Sequence, residues 1–175
     1  MRIKRKRISI HTPQTYGLDA FTALNTDQKK QYTQYLTNLY NDGKFDLLNE
    51  IIETTGFLTL EYSNLKSLSA LSALTNLSSL SLKGCSSLTD ISALSTLTNL
   101  SSLHLQGGPS LTDISALRAL TNLSSLSLQG CSSLTEISVL SALTNLSSLT
   151  MQGGSSLTDI SALSALTNLS SLNMQ

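Results

Sequence analysis

Two cysteines, two histidines and a regular file of carboxylates are the side chains of this 175-residue sequence with the means to do chemistry. Asp90, Asp113, Glu136 and Asp159 recur at a constant step of 23 residues. One carboxylate per step is poor provision for calcium, which takes about six to eight oxygen ligands. The spacing instead predicts that each carboxylate caps the turn after it by accepting backbone N–H bonds. Cys85 and Cys131 occupy equivalent positions two steps apart, with Gly108 and Gly154 at the same place in the alternate steps. That column cannot supply four metal ligands. If successive steps stack like strands, the two sulfurs lie about 10 Å apart, beyond the roughly 7 Å between Cα atoms that a disulfide tolerates. They are expected to be small buried apolar thiols. His11 and His104 have no neighbouring serine or cysteine in the setting of an activated nucleophile, and no Gly-x-Ser-x-Gly elbow occurs. Gly107-Gly108-Pro109 is a turn and not a phosphate loop, because no Gly-Lys-Ser/Thr follows. The sequence therefore predicts no catalytic residue, no bound metal and no cofactor.

Two further motifs have a plain and a sharper reading. Asn76, Asn99, Asn122, Asn145 and Asn168 all stand in Asn-Leu-Ser, which has the form of a glycosylation acceptor. The plainer reading is that each turns the chain into the next strand and bonds backbone. Lys4-Arg5-Lys6-Arg7 has the composition of a nuclear-localisation or anionic-surface patch, but a solvated terminus explains it as well. The chain carries 11 basic and 11 acidic residues, so no overall field points to nucleic acid. After Leu65 the only charges are Lys66, Lys83, Asp90, Asp113, Arg118, Glu136 and Asp159. No apolar run approaches the roughly 20 residues of a membrane span. The start of the chain lacks the apolar core of a signal peptide. The expected location is the cytoplasm, or export by a route without such a peptide.

The elements that position these residues follow from the repeat. Leu77-Ser-Ser-Leu80 recurs at Leu100, Leu123, Leu146 and Leu169, always 23 residues on. In the first full unit the apolar positions are Leu77, Leu80, Leu82, Cys85, Leu88, Ile91, Leu94 and Leu97. Leu80 and Leu82 are two apart, the period of a strand with one buried face. Leu88, Ile91, Leu94 and Leu97 are three apart, which suits a 3₁₀-like return better than a long α-helix. One unit cannot bury its leucines alone, whereas stacked units cover one another. The spacing predicts six short parallel strands centred near Thr59, Ser81, His104, Ser127, Thr150 and Asn173.

The pattern LxxLxLxxCxxL over Leu77–Leu88, the Leu88-Thr89-Asp90 that follows it and the return Asp90-Ile91-Ser92-Ala93-Leu94 resemble leucine-rich repeats, of which a period of 20–29 is typical. They are similar both to cysteine-containing repeats and to the short repeats of bacterial internalins. The resemblance covers residues 57–175 and implies an α/β solenoid, strands on the concave face and 3₁₀ or irregular turns on the convex one. It departs from the cysteine-containing family in its 23-residue period, which leaves less room for convex helices.

Before the repeats, Thr26 or Asp27 is placed to cap a helix that carries Tyr32, Tyr35, Leu36, Leu39 and Tyr40 on one face and stops at Asp42-Gly43. A second helix is expected from Phe45 to Glu53. The chain thus reads as a flexible basic arm (1–20), a helical N-terminal cap (21–56) and the solenoid (57–175). The resemblance implies a protein-binding role and no enzyme. The outward strand positions place the partner-binding face at Lys83, His104, Gln106, Gln129, Thr150 and Gln152. The partner is an unidentified protein, with neither nucleic acid nor membrane expected. Because the face lacks Trp, Tyr and Arg, the usual anchors of binding, two alternatives stand beside it: a structural, self-assembling solenoid, and a Ser/Thr array that binds ice or a glycan. The last strand, with Leu169, Leu172, Asn173 and Met174, has no polar cap after it. Leu166, Leu169 and Leu172 are expected to face water there unless the natural chain continues beyond Gln175 or the end is buried against something, the simplest partner being a second copy joined tail to tail as a homodimer.

Overall fold

The computed structural model describes residues 23–61, 65–153 and 156–174. The basic arm at 1–20, with Lys4–Arg7 and His11, lies outside the described residues, as do Gly154 and Gln175.

Two helices lead into the sheet. Helix α1 spans Thr26–Asn41 and α2 spans Phe45–Thr55. Neither Thr26 nor Asp27 caps α1, as the sequence suggested. The cap is Asn25, whose side chain accepts from the Gln28 N–H at 2.9 Å while the Gln28 side chain accepts from the Asn25 N–H at 3.0 Å. This reciprocal pair satisfies two backbone donors at once, which a single Thr or Asp one step later does not. Helix α1 buries Tyr32, Leu36, Leu39 and Tyr40, and also Thr33 and Thr37. Tyr35 is only half-buried. The rings of Tyr40 and Phe45 meet edge to face at 5.6 Å across the turn. Helix α2 ends on Gly56 at φ 65, a left-handed cap.

Six parallel strands then follow in chain order: β1 (Phe57–Glu61), β2 (Ser79–Lys83), β3 (Ser102–Gln106), β4 (Ser125–Ser127), β5 (Ser148–Thr150) and β6 (Ser171–Asn173). Leu58, Leu80, Leu103, Leu126, Leu149 and Leu172 lie in one row across the sheet. The first five members of that row are at most 1 % exposed. The return of each coil is a five-residue 3₁₀ turn: Ser69–Ala73, Ser92–Thr96, Ser115–Ala119, Ser138–Ala142 and Ser161–Ala165. Each points one leucine inward, Leu71, Leu94, Leu117 and Leu140 being fully buried. A three-residue period needs a helix of three residues per turn to keep all its leucines on one side. Residues 88–98 accordingly form no α-helix.

The coils are tied by side-chain ladders that run between repeats. Asn99, Asn122, Asn145 and Asn168 donate from Nδ2 to the carbonyls of Thr75, Thr98, Thr121 and Thr144, one coil earlier, at 2.9–3.0 Å. The asparagines do bond backbone, but across the stack and not within their own turn. Asn76, in the first repeat, makes no such bond among the described residues. A second ladder begins at the helical cap. The Gly56 carbonyl accepts from Ser78 Oγ at 2.8 Å and from the backbone N–H groups of Ser78 and Ser79. The carbonyls of Ser78, Ser101, Ser124 and Ser147 take the same three donors from Ser101, Ser124, Ser147 and Ser170 and their successors. Much of the serine in this chain therefore serves the stack.

Gly84, Gly107, Gly130 and Gly153 follow their strands with φ between 68 and 80. A Cβ built on Gly130 would stand 3.3 Å from the Gly107 backbone, so both the dihedral and the close stacking require glycine.

Candidate functional site

Three columns of outward side chains cover the concave sheet, set by the two-residue period of the strands. In β2 and β3 the register places Ser81 beside His104 and Lys83 beside Gln106. Lys83 also pairs with Glu61 of β1, Nζ to Oε1 at 3.5 Å. The sequence reading omitted Glu61 because it lies in the irregular first repeat. The β1–β2 register, Glu61 opposite Lys83, is what reveals it.

His104 contacts Ser102 Oγ at 3.1 Å through Nε2. Its side chain reaches solvent, but partial loss of hydration against the sheet, and then the Lys83 charge, lower its pKa below the usual histidine value. The ring is therefore neutral near pH 7. Gln106 donates from Nε2 to Gln129 Oε1 at 3.1 Å, and Gln129 donates to Gln152 Oε1 at 2.9 Å. Four of the six expected binding residues, Lys83, Gln106, Gln129 and Gln152, thus lie in one column, the first in an ion pair and the other three in an amide ladder. Thr150 lies half-buried beside Ser127 in the neighbouring column.

The carboxylates serve the turns, as their spacing predicts. Asp90, Asp113, Glu136 and Asp159 accept from the N–H groups of Ser92, Ser115, Ser138 and Ser161 at 2.9, 2.8, 2.7 and 2.8 Å. Those backbone bonds hold all four carboxyls below the ordinary carboxylate range. An open hollow of about 270 Å³ lies between the Asp90 and Asp113 turns. Among the described residues no three potential metal-ligating side chains come together. Cys85 and Cys131 are buried thiols. Burial pushes the Cys131 thiol up to about 11, against a smaller lowering by the Gly108 backbone, which leaves it protonated and a weak nucleophile at neutral pH.

The last coil differs from the others. Leu166 does not face water as expected but is buried at 4 %, and its N–H donates to the Leu163 carbonyl as in every earlier coil. Leu169 is half-buried, while Leu172, Met174 and Ile160 are 49, 37 and 53 % exposed. Asn173 lies in β6 beside Thr150. No helix among the described residues is long and apolar enough to cross a membrane.

Residues 52–173 match the family described as BspA type Leucine rich repeat region, in six copies. The chain belongs to this leucine-rich-repeat family. Among solved structures it is similar to the functional domain of internalin J of Listeria monocytogenes, described as including a cysteine ladder. The identity is 28 %, the TM-score 0.58, and the match covers 73 % of this chain and 26 % of that one. Internalin C2 of Listeria monocytogenes matches at 29 % identity and TM-score 0.45, over 70 % of this chain and 62 % of that one. The Arabidopsis receptor kinase HAESA ectodomain, solved with a peptide hormone ligand, matches at 21 % and 0.48, over 72 and 22 %. This leucine-rich-repeat chain therefore spans less than two thirds of each of these structures. A comparison with curated protein sequences finds no match. In this chain one column alternates Cys85, Gly108 and Cys131, with the Cys131 sulfur 3.6 Å from where a Gly108 Cβ would stand. Leucine-rich repeats commonly serve as protein-interaction modules, and nothing in the site points to catalysis.

Proposed function

We propose that this chain binds a protein partner through its concave face, centred on Lys83, His104 and Gln106 and extending along Gln129, Thr150 and Gln152. The observation that carries the reading is one column of the sheet in which a Glu61–Lys83 ion pair stands next in register to an amide ladder of Gln106, Gln129 and Gln152. Side chains already fixed lose less rotamer freedom when a partner arrives. His104 and Lys83 also give this part of the face its only ionisable groups on the regular repeats, so it is where a partner distinguishes one repeat from the next. A Ser/Thr array for ice or glycan is the second reading, and it would use the outward hydroxyls of Ser102, Ser125, Ser127, Ser148 and Thr150.

The test places a photo-crosslinking residue at His104 and, as a control, at Ser95 on the convex side, and identifies the protein captured. Affinity for that protein is then measured with the purified chain. Lys83→Ala with His104→Ala is expected to weaken binding at least about tenfold, the scale of one or two interface anchors, while removal of residues 1–20 leaves it unchanged. Equal capture from both positions, or loss of binding only on removing 1–20, sinks the concave-face reading. A positive thermal-hysteresis assay or glycan screen without any protein partner favours the array instead.

A further inference from the structure

The five Asn-Leu-Ser segments are identical in sequence and differ in structure. Asn99, Asn122, Asn145 and Asn168 each commit Nδ2 to a threonine carbonyl of the preceding coil. Asn76 is exposed, and its Nδ2 has no partner among the described residues. The cause lies in the helical cap. Each rung reaches the residue 24 positions earlier, which for Asn76 is Ile52. Ile52 belongs to α2, and its carbonyl already accepts the Gly56 N–H that closes the helix, at 2.7 Å. A helical carbonyl points along its own axis and not across to the next coil. The serines do not discriminate between the segments. Ser78 donates to the Gly56 carbonyl just as Ser101, Ser124, Ser147 and Ser170 donate to the carbonyls of the stack. The asparagine amide alone sets the first segment apart.

We propose that Asn76 is a glycosylation acceptor of the folded chain, the one among the five that takes a sugar without breaking a rung of the stack. Asn-x-Ser has the acceptor form for N-linked sugars. The donor is a sugar nucleotide. In the transfer, Nδ2 bonds to the anomeric carbon of the sugar and the bond from that carbon to the phosphate oxygen breaks. The nucleoside diphosphate leaves with the electron pair, and a base of the transferase takes the Nδ2 proton. An amide nitrogen shares its lone pair with its own carbonyl, so it reacts only after turning out of that conjugation. Asn76 is free to turn. At Asn99, Asn122, Asn145 and Asn168 the same turn breaks the rung and strips a threonine carbonyl of its donor. One net hydrogen bond shifts that opening by about fivefold. A sugar at those four positions also has to fit between coils about 4.8 Å apart. The site is independent of the concave face and stands whether or not a partner binds there.

The test incubates the folded full chain with UDP-glucose and a soluble N-glucosyltransferase that reads Asn-x-Ser, and maps the sugar by mass spectrometry of the digested product. Asn76 is expected to be modified at an initial rate about fivefold or more above that of any other Asn-Leu-Ser, the factor set by one net hydrogen bond. Asn76→Gln, which has no rung to lose, is expected to leave the fold intact and to remove most of the early incorporation. Short synthetic peptides centred on the five asparagines are expected to react at similar rates, because the fold and not the local sequence makes the difference. The proposal fails if the folded chain is modified equally at all five positions, if it stays unmodified at Asn76 while the peptides react, or if the Asn76 peptide already shows the same preference.

Discussion

The two ends of this sheet have the same leucines and opposite surroundings. At β1 the strand is covered. Helix α1 packs along it, every one of Phe57, Leu58, Thr59 and Leu60 is buried, and Thr37 Oγ1 accepts the Glu61 N–H at 3.3 Å. At β6 the equivalent strand has no cover among the described residues, and Leu172, the counterpart of Leu58, is half in water. The difference shows where stability is stored in a stack. A strand leucine such as Leu172 stays half exposed with a coil on one side only, because a single coil covers one face of the next.

That comparison is broken most severely in the middle. Leu103→Ala removes a side chain with 0 % exposure and coils on both sides, and is expected to cost about 2–5 kcal/mol, the range for a buried leucine that leaves a cavity. Leu172→Ala, at a side chain 49 % exposed, is expected to cost less than about 1 kcal/mol. Urea unfolding of both variants decides it, and equal losses would mean that Leu172 is as well packed as a mid-stack leucine. Leu36→Ala, which hollows the helical cover over β1, is expected to fall near the mid-stack value, at about 2–4 kcal/mol. A loss as small as that of Leu172→Ala would show that α1 is not part of the cooperative core.

Gly130→Ala comes next, at about 1–3 kcal/mol for a side chain forced into a left-handed dihedral, with the Gly107 backbone 3.3 Å away as an added obstacle. Gly43→Ala shares the dihedral, φ 67, but meets only the Phe45 ring at 3.9 Å. The difference in midpoint between the two variants isolates the cost of close stacking. Asn122→Ala removes one rung, worth about 1 kcal/mol, whereas Asn76→Ala, which has no rung to lose, stays within about 0.5 kcal/mol.

The smallest effect is with pH. The folded-state pKa of His104 is lowered, so on acidification the unfolded chain takes up the proton first. Stability then begins to decline as pH falls below 6.5 and stops declining once the folded histidine is also charged. The four lowered carboxyls contribute stability above the ordinary carboxylate range and lose it as pH falls through that range towards their folded values. Thermal midpoints measured from pH 7.5 to 5.5 should fall slightly and stop falling in His104→Gln. An unchanged slope in that variant would place the proton elsewhere.

Much of this was legible because a strict 23-residue step converts one local pattern into five. Leu80 and Leu82, the three-residue spacing from Leu88 to Leu97, and the carboxylate before each turn all behave as their spacing dictates. The strand centres of β4, β5 and β6 lie one residue earlier than expected, since those strands are shorter. What escaped was everything that depends on a second coil. The asparagine bonds reach the previous threonine carbonyl, and period alone does not tell a bond within a turn from one across the stack. Glu61 joins Lys83 through a register of 22 at the first interface, which the irregular first repeat conceals. Leu166 is buried, whereas the sequence pattern groups it with Leu172. Asn25 outcompetes Thr26 because the decisive partner, Gln28, lies three residues on.

The direction of the asparagine and serine ladders bears on how the molecule is made. Every rung of these two ladders has its donor in the later coil and its acceptor in the earlier one, beginning with Ser78 on Gly56. A ribosome releases the earlier coil first. The acceptors of these two ladders are thus synthesised before their donors, whereas the glutamine ladder and the bonds at the strand ends, such as the Gly107 N–H to the Gln129 carbonyl, have their donors in the earlier coil.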